Sequence, residues 1–536
     1  MTFPAILHMG NTVNNPGDPL YYSWLMSWEI HSLLTYPSSF FDGNIFYPLK
    51  KTVAFSDHMF GSTLIFAVPY LILKNPVFAY NVVFLLTFFL SGYGMYLLVY
   101  RYTENLEPAL TAGFIYGFAS YRFSHIGHLT LLSIQWFPFC LYYAEKYCDT
   151  TRKKYFYLYS LFFLLQVLSS WYTGIFIAMT MGFFWMWKLI KNQSKRLNIL
   201  KILVPGKLII FIVLIPFMMP YLEVSKSLQM QRSLQETFLY SADVTDYFFT
   251  SPQNLLYGNF SSLYHNVPNI SEHALFPGLT VIVLFFISWF LTAKKYSSLR
   301  NFYLLLGISA FILSFGPRLK LFGYDTGIPL PYLFIYKICP VLKGIRATTR
   351  FMTVILISLS VVPALWLQTF QNRIHRGYRR FIFYFIIIIL IGLENIHIPL
   401  WTYPVQMDPY DSYKYLAHDP LPGPVLEIPA GFFENDTHNF FINTRYMLSS
   451  TIHWRPLLNG YGSFHPPHFL EMTRILHRLD PSEMTEFLAS NTNTFILVHT
   501  DLLSEEESKR ILGFFDSSER VEFTRQFGKD YLYKTY

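Results

Sequence analysis

The feature that most constrains this chain is a succession of apolar runs separated by short turns in which the basic residues collect. A run of about 20 apolar residues suits an α-helix that crosses a hydrocarbon core, where only helices and closed barrels satisfy every backbone amide. Residues 76–100 form the first clear crossing, and 25 residues at the helical rise reach ~37 Å. Further crossings are predicted over 108–122, 129–147, 155–190, 200–222, 276–293, 301–315, 351–370 and 381–398. The stretch 155–190 is long enough for two helices hinged at Ser169-Ser170-Trp171-Tyr172, which makes about ten spans. Basic turns follow alternate crossings, at Arg101, Arg152 to Lys154, Lys188 to Arg196, Lys294-Lys295 and Arg373 to Arg380. Assigning all five to the cytoplasm places Asp18, the turn around His125 and His128, the loops 223–275 and 316–345 and the C-terminal region on the opposite side.

Composition agrees with a chain that mostly avoids water. Of 536 residues 52% are hydrophobic and only 14% charged, against about 25% charged in soluble domains. The net charge of +8 does not signal nucleic acid, because residues 399–536 carry 11 basic and 18 acidic side chains and a net +15 falls on the first 398, in membrane-flanking turns. The three cysteines form no Cys-x-x-Cys pair and read as packing residues. Met1 to Gly17 is too short and too polar for a signal-peptide core, so no cleavable signal is expected.

Two regions frame the predicted bundle. Residues 1–75 read as an external segment. It holds Gly17-Asp18-Pro19, a helix over 19–36 lying along the membrane surface and ended by Pro37, the polar group Ser56-Asp57-His58, and a short interfacial piece Phe60–Leu73. From about 401 the composition becomes that of a small α/β domain, with buried strands at Val425–Ile428 and Thr494–Val498 and helices over 466–479 and 504–515. The fold class expected is an α-helical polytopic membrane protein (1–400) with an extracytoplasmic α/β domain (401–536).

Gly17-Asp18-Pro19, Ile45-Phe46-Tyr47-Pro48, Ser56-Asp57-His58, Arg122-x-x-His125-x-x-His128 and Gln135-Trp136-x-Pro138 together resemble the GT-C superfamily of integral membrane glycosyltransferases, and within it a bacterial group. Ser170-x-Tyr172, Gly344-Ile345-Arg346-x-x-x-Arg350-Phe351 and Asn459-Gly460-Tyr461 fit the same group. The resemblance covers most of the chain through short motifs. It implies transfer of a sugar, with inversion, from a polyprenyl-phosphate carrier to a lipid, glycan or protein acceptor outside the inner membrane. GT-C enzymes usually place a span before their acidic residue, and the 17 residues ahead of Asp18 are too few for one.

Asp18 is the candidate catalytic base, since a carboxylate at the mouth of a bundle can take a proton from an attacking hydroxyl. Asp before Pro is equally a favoured helix start. Arg346 and Arg350, with Lys343 beside them, precede a span on the side where basic residues are disfavoured, and a guanidinium matches phosphate oxygens. Donor-phosphate binding and headgroup snorkelling both account for them. Asp57, His58, Arg122, His125, His128, Tyr172 and Glu272 are candidate substrate-cavity residues, although solvated loops and interfacial anchoring explain several. His125 and His128 lie three apart without a third ligand, so a divalent metal is possible but unsupported, and no cofactor is expected. Asn259-Phe260-Ser261, Asn269-Ile270-Ser271 and Asn435-Asp436-Thr437 match the glycosylation sequon. The rival readings are a lipid-linked-saccharide transporter, disfavoured by the absence of a repeat, and a non-catalytic membrane scaffold.

Overall fold

The computed structural model describes residues 3–536 except 192, 229–231, 264–268, 372–373, 375–376, 399, 401, 406–410 and 432–440. The sequon at Asn435 and part of the basic run from Arg373 lie outside the described residues.

Every predicted crossing coincides with helix, but not all are long. Among the described residues five helices are long and apolar enough to span a bilayer: Pro76–Thr103, Trp171–Lys191, Arg196–Ser227, Lys294–Ser314 and Thr348–Gln371. The last is the bundle's centre, with 94% of its most apolar window buried, whereas only 17% is buried in Arg196–Ser227, which carries Pro205, Pro216 and Pro220 and lies at the periphery. The expected hinge is present, as Lys153–Ser169 and Trp171–Lys191 meet at Ser170.

Two expected crossings are broken. Helix ends at Gly117 in one, and in the other Leu129–Leu132 is separated from Trp136–Thr150 by three non-helical residues. Breaks free carbonyls that hydrocarbon cannot satisfy. Arg122 answers both, with Nη1 donating to the Gly117 carbonyl at 3.0 Å and Nη2 to the Leu132 carbonyl at 2.9 Å. Close helix approach stabilises the neighbouring pair: a Cβ on Gly113 would lie 2.6 Å from the Gly92 carbonyl oxygen, so Pro76–Thr103 and Leu106–Gly117 touch backbone to backbone.

The helix over 19–36 exists as Asp18–Thr35, but it does not lie on a surface. All residues from Pro19 to Ile30 are buried. One side meets the helices Phe60–Leu73 and Pro76–Thr103, and the other meets the C-terminal lobe through the helix Ile442–Ser449. The lobe holds a four-stranded sheet in the order Val425–Ile428, Phe495–His499, Asp530–Thr535, Val521–Phe527. The first pair is parallel and the others antiparallel. The hairpin 521–535 was not expected from sequence. Chain 44–47 adds to the lobe by backbone bonds, Phe46 N to Asn459 O at 3.1 Å and Tyr47 N to Leu457 O at 2.8 Å. One hydrophobic core therefore runs from the Asp18 helix through Phe46 and Phe55 to Phe469 and the sheet, while a second fills the bundle.

Candidate active site

Gly17 is the N-cap of the Asp18 helix, and Asp18 with Pro19 forms its first turn. The fixed φ of Pro19 suits that position. The carboxylate is turned away from the helix amides. Asp18 Oδ1 accepts a hydrogen bond from the Tyr461 hydroxyl at 2.6 Å, and Oδ2 lies 3.5 Å from His128 Nε2. Loss of water, then the charge of Asp18, raises the Tyr461 phenol well above its ordinary pKa, so it keeps its proton and donates. Loss of water lowers the His128 imidazole, and Asp18 partly offsets this. Asp18 remains 22% exposed and opens on a cavity of about 360 Å³. Asn14, Asn15, Ser124, Gln253 and Ser271 line it beside Phe123, Ile126, Ile270 and Leu400, so amides and hydroxyls that suit a polyhydroxylated ligand are set among apolar side chains.

A second carboxylate sits deeper. Glu272, buried in the short helix Ile270–His273, receives Arg350 Nε at 3.1 Å from each oxygen and a further contact from Arg350 Nη2. His125 Nε2 and Thr349 Oγ1 approach its other oxygen at 3.4 Å each. Burial pushes the Glu272 carboxyl up, but Arg350 and then His125 outweigh it and hold it well below the usual carboxylate range. Arg350 also stacks over the Tyr172 ring at 4.5 Å, and the Tyr172 hydroxyl bonds the Ala347 backbone at 2.7 and 2.8 Å.

A third group is cationic. Arg346 pairs with Glu236 at 3.2 Å and donates to the Tyr240 hydroxyl at 2.5 Å, while Arg232 pairs with the same carboxylate at 3.1 Å. Two guanidinium groups sharing one carboxylate leave a net positive charge. Arg232 also stacks on Phe464 at 4.5 Å, so the loop Tyr461 to Phe464 touches Asp18 at one end and this cluster at the other.

Comparison with known proteins adds the fold. No family model and no curated protein matches the sequence. Among solved structures, the chain is similar to the arabinofuranosyltransferase AftD from Mycobacteria, with a TM-score of 0.61 at 11% identity over 96% of this chain and 39% of that one. A mutant form of AftD gives 0.59 at 10% identity over 98% and 40%. The fold is shared with AftD. At such identity the likeness shows the fold alone, and this chain spans about two fifths of the length of AftD. The chain is also similar to the archaeal oligosaccharyltransferase AglB from Archaeoglobus fulgidus, with a TM-score of 0.46 at 12% identity over 91% of this chain and 66% of that one.

Set in this fold, the candidate residues separate. Asp18 and His128 line the cavity together. Arg122 does not: it is 1% exposed and its Nη1 and Nη2 donate to the carbonyls of the two helix breaks. His125 is equally buried, with Nδ1 3.0 Å from the Tyr121 carbonyl and Nε2 on Glu272. Asp57 accepts from Ser170 Oγ at 2.6 Å at the start of the helix Trp171–Lys191, and loss of water raises its carboxyl. His58 is fully buried against Phe217 and Trp171, and burial pushes it down to about 3. Tyr172, Glu272 and Arg350 form one closed cluster, and Lys343 is exposed at the end of the turn Pro340–Gly344.

The His125 and His128 rings lie 6.0 Å apart and face different partners, so they do not converge on one ion. Among the described residues the group with metal-ligand spacing is His499, Asp501 and Asp530 in the lobe. His499 Nδ1 meets Asp530 at 2.8 Å and Nε2 meets Glu427 at 3.0 Å. Burial opposes charge there, but hydrogen bonds to the two carboxylates win and raise the imidazole to about 9. A protonated imidazole has no lone pair for a metal.

Sequence reasoning missed Glu29, Arg232 and Glu236, and quoted Tyr461 only within a motif. Glu29 had a visible signal, an acidic residue inside the apolar run Trp28-Glu29-Ile30. It is fully buried, accepting from the Met59 amide at 3.1 Å and Thr63 Oγ1 at 2.5 Å, and burial raises it to about 7. These bonds anchor the Asp57–His58 loop to the Asp18 helix.

Proposed function

We propose that this chain is a membrane glycosyltransferase that moves a sugar from a polyprenyl-phosphate donor to an acceptor hydroxyl, with Asp18 as general base. The observation that carries the reading is the Asp18 carboxylate, held by Tyr461 and open to a polar cavity, with no cation neutralising it among the described residues. The acceptor oxygen attacks the anomeric carbon, its proton passes to Asp18, the bond from that carbon to the phosphate oxygen breaks, and polyprenyl phosphate leaves with that electron pair. Attack from the face opposite the leaving group inverts the anomeric carbon. A phosphate leaving group needs little acid assistance, so one carboxylate suffices. His128 offers a neutral ring nitrogen to which the proton can pass on.

For the donor phosphate we favour the Arg232–Glu236–Arg346 cluster, with Lys343 nearby in sequence, over Arg350. Arg350 is matched by Glu272, whereas the cluster keeps an unmatched charge beside the loop that holds Asp18. By the distribution of basic turns, the site and the lobe lie on the extracytoplasmic face of the inner membrane. The test is transfer from radiolabelled polyprenyl-phosphate sugars to membrane acceptors by purified protein. Wild type forms labelled product and Asp18→Asn loses about 100-fold or more. Equal transfer by the two proteins overturns the assignment.

A further inference from the structure

A larger opening lies beside the Asp18 cavity. The two-stranded ribbon of Thr12–Val13 with Tyr403–Pro404 separates them, and Tyr403 lines both. This groove has a volume of about 970 Å³ and runs between the Asp18 helix and the C-terminal lobe. His31 stacked on Trp454, centroids 4.0 Å apart and planes within 11°, joins the two walls.

The groove is chemically mixed. Leu34 and Leu71 line its apolar part, at 71% and 42% exposure. They continue into the exposed side chains Leu64, Val68 and Ile72, which repeat every four residues along one face of the helix Phe60–Leu73. That face has no polar residue to present to water and suits hydrocarbon. The polar part carries Lys74 and Arg445, both exposed and both without a hydrogen-bond or ion-pair partner among the described residues. Among the described residues no carboxylate lines the groove. Two unmatched cations on the wall of a groove that also carries exposed leucines complement an amphiphile with an anionic head.

We propose that this groove seats a membrane lipid bearing a phosphate headgroup, its chain along Leu34 and Leu71 and its phosphate held by Lys74 and Arg445. The source is a lipid rather than a free anion, because the apolar part is continuous with a hydrocarbon-facing helix surface. A lipid in this position places its headgroup one ribbon away from Asp18, which fits a lipid-borne acceptor. The binding claim stands whether or not Asp18 transfers sugar.

The experiment reconstitutes the full chain in phosphatidylcholine nanodiscs doped with phosphatidic acid and measures retained phosphatidic acid by native mass spectrometry. Each basic side chain near a bilayer surface is worth roughly a fivefold change in affinity, so Lys74→Gln with Arg445→Gln lowers phosphatidic acid affinity roughly 30-fold and leaves phosphatidylcholine retention unchanged. Leu71→Trp fills the apolar part and lowers retention without altering charge, provided circular dichroism matches wild type. Soluble glycerol 3-phosphate fails to compete. Wild-type retention by both variants overturns the site, and full competition by glycerol 3-phosphate overturns the lipid assignment in favour of a small-anion site.

Discussion

Asp18 and Glu272 are two carboxylates placed in opposite ways. Glu272 is buried and meets Arg350, His125 and Thr349, so its charge is answered on every side. Asp18 has a phenol and a loosely placed neutral imidazole, and a cavity in front of it. Proton transfer needs a base whose lone pairs are reachable by the reacting group. A saturated ion pair is suited to holding architecture, and an unsaturated carboxylate at a cavity has lone pairs free to take a proton. Glu29 is a third case, buried without a cation and raised to about 7 for that reason.

The contrast predicts distinct consequences when each carboxylate is altered. The largest effect on stability belongs to Glu272→Gln, which strands a buried guanidinium and costs ~3–5 kcal/mol. Thermal unfolding in detergent measures it, and Glu272→Gln combined with Arg350→Met is expected to recover part of the loss. A single variant as stable as wild type would break the contrast.

Glu29 comes next. Its folded pKa is raised, so its contribution is fully present below the unfolded value near 4.5 and is lost as pH rises through about 7. Glu29→Gln therefore stabilises the protein at pH 8 by up to ~3 kcal/mol relative to wild type and has little effect at pH 4.5. Unfolding curves at the two pH values check the sign.

The smallest effect is at Tyr461. Removing one hydrogen bond to a charged group, as in Tyr461→Phe, costs ~1.5–3 kcal/mol where that bond is needed. The loss is expected to fall on turnover, with unfolding temperature and substrate KM unchanged, because Tyr461 positions Asp18 rather than binding substrate. A change confined to KM would instead make Tyr461 a substrate contact.

How much of this was legible depended on sequence distance. Apolar runs showed where helices lie, and Ser169-Ser170 showed the hinge, because length and hydropathy are local properties. Burial of the Asp18 helix was not legible, since the helix Ile442–Ser449 that covers one of its sides lies more than 400 positions away. The Arg350–Glu272 pair spans 78 residues and the Tyr461–Asp18 bond 443, so neither partner announces the other. Arg122 misled for a physical reason: a charged residue beside a span reads as functional, yet here it satisfies carbonyls left by two helix breaks. The hairpin 521–535 carried a turn at Gly528 and alternating apolar residues that should have marked it.

The most direct measurement of the central claim compares cells lacking this protein after complementation with wild type or Asp18→Asn at equal expression. Their surface glycans and lipid-linked sugars are profiled, and the unfolding temperatures of the purified proteins are compared. The account predicts that wild type restores a sugar that Asp18→Asn does not, while the two proteins unfold at the same temperature. Restoration of that sugar by Asp18→Asn would contradict it.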